Sequence, residues 1–198
     1  EILIIADGSA EPRFTAADLL SQAEHDPMAA AILVTNDDGF AKKVLEQLDE
    51  QLERLNRKEI IRESLDNYGL IVVCSSADEM IDIANEIAPE HLEIMTSDPM
   101  AIFTGIKNAG SVFLGPYSPE PLGDYYSGTN HVLPTMGTAR FASPLGVNSF
   151  TKKMSYTYYT KEALGFCAGD ILEIAGREGL EAHARSISVR FCDKDGIE

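Results

Sequence analysis

The chain has 198 residues, 44% of them apolar and 24% charged, enough for one large domain or one domain with a small appendage. Its formal charge of −16 argues against nucleic acid and anionic membrane surfaces as partners, because both call for clustered Lys and Arg. No apolar run approaches a membrane span, and three widely spaced cysteines (Cys74, Cys167, Cys192) suit a reduced, cytosolic compartment better than a disulfide framework.

The first residues, "EILIIADGS", lack an initiator Met and read like a strand already under way, so a fragment of a longer protein is the simplest expectation. Residues 2–7, "ILIIAD", fit a buried strand, followed by a helix over 15–25 with Thr15 as its cap. A second strand is expected at 30–35. A long amphipathic helix then runs over 38–57, on the helical spacing of Phe40, Val44, Leu45, Leu48, Leu52 and Leu55. Residues 70–75 read as a strand, 77–87 as a helix, 92–96 as a strand, 98–107 as a helix and 111–115 as a strand. Strands alternating with helices imply βαβ units and an α/β fold, a parallel sheet covered by helices on both faces. No G-x-G-x-x-G follows any strand. Residues 115–149, rich in Gly, Pro, Ser and Asn, form a long irregular stretch of the kind that is usually functional. Beyond it, "MSYTYY" (154–159) is a candidate strand, and 160–175 and 178–187 read as two helices. The expected division is an α/β domain over 1–149 and a small, mainly helical one over 150–198.

Candidate chemistry is sparse, since there are only four histidines. In "DLLSQAEH", Gln22 and His25 stand three apart, which on a helix places two neutral donors on one face, half of a metal site or a solvated pair. In "APEHLE", Glu90 adjoins His91 where a helix meets a strand. A carboxylate beside an imidazole supplies two bases of different strength, as acid–base catalysis needs, although a helix-terminal Pro-Glu with a filler His reads equally well. In "GDYYSGTNH", Asp124 precedes His131 by seven residues and is either an anionic ligand or a turn-former. Glu178 and His183 lie five apart in "GREGLEAHARS", so they share a site only if it lies at the helix start. Gln22, His25, Asp124 and His183 together would make a nitrogen and oxygen set suited to Zn²⁺, but no spacing rule links the last two to the first pair.

"DLLSQAEH", "APEHLE", "GPYSPEPLGDYYSGTNHVLPT" and "EGLEAH" occur in this order in histidinol dehydrogenase, and the chain resembles the C-terminal half of that family essentially end to end. The resemblance implies an incomplete Rossmann-like sheet and a cytoplasmic enzyme that oxidises L-histidinol through the aldehyde level to L-histidine with two NAD⁺. It implies Zn²⁺ held by Gln22, His25 and Asp124 of one subunit and His183 of the neighbouring subunit, hence a homodimer with shared active sites. Glu90 and His91 match the acid–base pair, and His131 and Glu178 match substrate contacts. The metal ligands and His91 also face the substrate in this reading. Most of the family's NAD-binding positions precede Glu1, so the nicotinamide residues are not assigned and this piece alone is expected to be inactive. Two other readings compete with it: a non-catalytic metal-binding or dimerisation module on the same scaffold, and a receiver-like domain that leaves the Gly/Pro-rich loop unexplained.

Overall fold

The structure is a computed structural model that describes residues 1–192. It comprises two compact units, Glu1–Thr151 and Lys152–Glu198, each taken by itself below. The first unit runs β1 (Ile2–Ala6), α1 (Pro12–Ala23), β2 (Ala31–Thr35), α2 (Asp38–Leu52), α3 (Lys58–Tyr68), β3 (Gly69–Val73), α4 (Ala77–Ile87), β4 (His91–Met95), α5 (Pro99–Phe103), β5 (Ser111–Leu114) and α6 (Glu120–Tyr125). The strands form one parallel sheet in the order β3-β2-β1-β4-β5, so the winding direction reverses between β1 and β4.

β1 is buried throughout, and its alternating side chains build a core on each face. Ile2 and Ile4 join Leu19, Leu20, Phe40, Val44 and Ile61 from α1, α2 and α3. Leu3 and Ile5 join Met80, Ala84, Leu92, Ile94 and Ile102 on the other side. Each such side chain contributes about 1.5–3 kcal/mol by leaving water, which is what holds the helices to both faces as expected. Register sets Ile2 level with Ala31 and His91, and His91 level with Ser111, so His91 stands at the amino edge of the sheet.

Several boundaries differ from the sequence expectation. α1 starts at Pro12, whose fixed φ suits a first turn, so Thr15 is not a cap but an interior residue donating to the Glu11 carbonyl. α1 also ends at Ala23, which removes His25 from the helix. The expected helix over 38–57 stops at Leu52, and a separate α3 follows; Leu55 packs on the core from the intervening turn and so imitated a continuing helix. α5 has only five residues, because the Lys107 and Asn108 amides donate to Asn85 Oδ1 instead of extending it. The irregular stretch after β5 contains α6.

The second unit holds α7 (Lys161–Arg177), capped by Thr160 Oγ1 accepting from the Ala163 amide, and α8 (Glu181–Ser188), with Gly179 at φ 72° between them. "MSYTYY" is not a strand. Among the described residues nothing pairs with it, and an isolated extended segment leaves its backbone groups to water. No helix of the described residues is long and apolar enough to cross a membrane.

Candidate functional site at the amino edge of the sheet

Three elements bring polar side chains, most of them titratable, to the amino edge. β4 supplies His91 at its first residue, and α1, returning antiparallel to the strands, supplies Gln22 from its last turn. α6, after β5, supplies Glu120 and Asp124. α6 sits close to the sheet because Gly123 has no side chain; a Cβ there would lie 2.6 Å from the Phe113 ring, which in turn leans on the His91 ring with centroids 6.2 Å apart. His91 Nδ1 lies 3.1 Å from the Glu1 carbonyl oxygen and 3.2 Å from Gln22 Oε1. Its Nε2 lies 3.6 Å from Glu120 Oε1. One ligand atom from each of His91, Glu120 and Asp124 falls within 4.8 Å of the others. Asp124 Oδ1 is also 2.8 Å from His131 Nδ1.

These neighbours dictate the proton positions. Both partners of His91 Nδ1 are acceptors, so Nδ1 carries the hydrogen and Nε2 keeps the lone pair. That Nε2 is buried without a hydrogen-bond partner among the described residues. Burial holds the His91 imidazole below its ordinary range, against the raising influence of Glu90. Burial, then the nearby Asp124, pushes the Glu120 carboxyl up to about 7. Asp124 is also raised by burial, but hydrogen bonds from His131 and Glu120 outweigh this and hold it below the usual range. His131 is raised by its bond to Asp124.

The sequence-derived candidates divide accordingly. Gln22, His91, Asp124 and His131 converge. Glu90 adjoins them, its Oε2 3.0 Å from the Glu1 backbone nitrogen. His25 lies just beyond the end of α1, exposed and outside the His91–Glu120–Asp124 cluster, so the helical i, i+3 argument does not place it. In the second unit, Glu178 and His183 border one groove of about 190 Å³, at the α7–α8 junction. Glu120, Glu93 and Asp18 were missed. The usable signal was Glu93, a carboxylate set between apolar residues in "LEIM", where a buried strand is expected. A cavity of about 530 Å³ beside β3 is lined mainly by apolar residues, among them Leu19, Leu48, Leu65 and Leu70.

The carboxylate oxygens of Asp124 and Glu120 and the amide oxygen of Gln22, with no thiolate among them, suit a divalent first-row cation. Comparison with known proteins adds the lineage. The family model described as histidinol dehydrogenase matches residues 1–191. Histidinol dehydrogenase of Caldanaerobacter subterraneus subsp. tengcongensis is 59% identical over 187 residues, 94% of this chain and 44% of that protein. That of Clostridium acetobutylicum is 56% identical over 191 residues, covering 96% and 44%. The crystal structure of histidinol dehydrogenase from Elizabethkingia anophelis superposes with a TM-score of 0.87 at 42% identity, over 96% of this chain and 44% of that one. The chain thus spans less than half the length of these relatives, matching their C-terminal half. Gamma-glutamyl phosphate reductase from Thermotoga maritima shares the fold alone, with a TM-score of 0.51 at 19% identity. On this evidence the chain belongs to the histidinol dehydrogenase family.

Proposed function

We propose that the protein carrying these residues oxidises L-histidinol to L-histidine through the aldehyde level, with NAD⁺ as hydride acceptor, and that this chain supplies its metal-, substrate- and proton-handling side. The observation that carries this is His91: a buried imidazole with Nδ1 pinned by acceptors and a bare Nε2 facing two carboxylates. His91 Nε2 takes the hydroxyl proton as hydrogen leaves the carbinol carbon as hydride. Glu90, at the same strand entrance, serves as the base that activates water for attack on the aldehyde. Gln22 and Asp124, with His25 and with His183 of a second copy in a homodimer, would hold Zn²⁺. When bound, Zn²⁺ supplies a redox-silent template for the imidazole and amine of histidinol. His131, tied to Asp124, and Glu178, sharing a groove with His183, would contact the substrate. The ionised state of Asp124 supports its assignment, because a ligand must be deprotonated to bind.

The test is histidinol-dependent reduction of NAD⁺ by the complete protein, zinc-loaded. NADH formation is expected, about two per histidinol consumed, since alcohol to acid is a four-electron oxidation. Zinc binding without any histidinol-dependent NADH would overturn the enzyme reading in favour of a non-catalytic metal module.

A further inference from the structure

Glu93 is the most deeply buried charged residue of the sheet, 1% exposed in the middle of β4. It stands two residues after His91, so the two side chains leave the strand on the same face. Its Oε1 accepts the backbone N–H of Glu120, the first residue of α6, at 2.8 Å. Its Oε2 has no partner among the described residues unless a carboxyl proton bridges it to Asp18 of α1, which lies beside it. An apolar residue would fill this position without the cost of burying a carboxyl, as Leu92 and Ile94 do on the opposite face. What Glu93 provides that they cannot is a joint between three elements. α1 carries Gln22, β4 carries His91, and α6 carries Glu120 and Asp124.

We propose that Glu93, backed by Asp18, is a positioning residue: its buried carboxyl fastens the start of α6 to β4 and so sets where Asp124 and Glu120 stand relative to His91. α6 is only six residues long and has no side-chain cap of its own; beside this bond it has Gly123 set close to the Phe113 ring, Asp124 bonded to His131 and Glu120 near His91. A one-residue anchor at its first amide therefore governs the whole ligand segment. The part concerning metal rests on the reading of Asp124 as a ligand; the fastening of α6 does not.

The test compares Glu93→Gln with Glu93→Leu in the complete protein. Gln keeps an oxygen for the Glu120 amide and an N–H for Asp18, whereas Leu keeps the volume and neither polar group. Glu93→Leu is expected to weaken Zn²⁺ binding by about tenfold or more, the scale seen when an outer partner of a metal ligand is lost. It should also speed amide exchange in residues 119–126 while leaving β1 and β4 amides unchanged. Glu93→Gln should restore both. Wild-type Zn²⁺ affinity and exchange in Glu93→Leu, or equal damage in Glu93→Gln, overturns the proposal. Should Glu93→Leu fail to fold, the wild type decides: the Glu120 amide is expected to exchange as slowly as β4, and exchange at free-loop rate overturns the latch. If wild type binds no Zn²⁺, the functional reading fails and the exchange measurements alone judge the latch.

Discussion

At the carboxyl edge of the sheet, just past the end of β1, Asp7 has both oxygens filled. Oδ1 accepts from the Ser9 amide and hydroxyl, and Oδ2 from the Ser97 amide at 2.9 Å and hydroxyl at 3.0 Å. Burial pushes this carboxyl up, but those donors outweigh it and hold it below its ordinary value. At the amino edge the balance runs the other way: Glu93 and Glu120 are raised by burial, and His91 Nε2 and Glu93 Oε2 have no partner among the described residues. A crevice of about 280 Å³, lined by Ser9, Phe14, Met95, Thr96 and Tyr117, does lie at the carboxyl ends near the β1–β4 reversal, where open α/β sheets usually bind ligands. Its one orphaned buried atom among the described residues is the hydroxyl oxygen of Thr96, which does not titrate at ordinary pH. At the carboxyl edge the titratable Asp7 is thus fully bonded, and among the described residues the buried titratable groups left short of a partner sit at the opposite edge. The proposed function therefore rests on the chemistry of the residues rather than on the topology.

The contrast breaks most visibly through His91. Replacing it by Asn should lower histidinol-dependent NADH formation by about 10²–10⁴-fold, the scale of a lost general base, with bound Zn²⁺ retained. Activity within a few fold of wild type would remove the amino edge from the reaction. A smaller effect sharpens the comparison through pH. Glu120 has a folded pKa of about 7 against an ordinary 4.5, so the zinc-free native state holds this proton more tightly than the unfolded state. That contribution is full below pH 4.5 and is lost as pH rises through 7. Glu120→Gln should therefore raise the Tm of zinc-free protein at pH 8, by about 2–4 °C per kcal/mol recovered, and hardly change it at pH 4. An equal shift at both pH values would contradict the assigned burial penalty. Asp7 has the opposite sign: its folded pKa is depressed, so its stabilisation is present above the unfolded value and fades as pH falls. Asp7→Asn is expected to cost about 1 kcal/mol at neutral pH and to leave activity within about twofold. A large loss of turnover would make the carboxyl edge a second functional region.

Sequence reading reached some parts of this site and not others for identifiable reasons. The buried strands declared themselves as apolar runs, and the parallel sheet followed from their alternation with helices. His91 drew attention through the adjacent Glu90, and Asp124 through an irregular stretch too long for a simple connection. Glu120 and Asp18 gave no signal, because acidic side chains in a chain with 32 of them are normally solvated, and both meet Glu93 only once β4, α1 and α6 are assembled. The i, i+3 argument for His25 fails, because such spacing means a shared face only while the helix lasts, and α1 ends at Ala23. The tyrosines of "MSYTYY" carried strand propensity, but a strand needs a neighbour, and propensity cannot supply one.

The most direct measurement is a crystal structure of the complete protein grown with Zn²⁺, with anomalous diffraction recorded on both sides of the zinc absorption edge. A zinc peak within bonding distance of Asp124 and Gln22, beside His91, is the expected result. A peak at Asp7, or none at the amino edge in protein that turns over histidinol, would contradict the account.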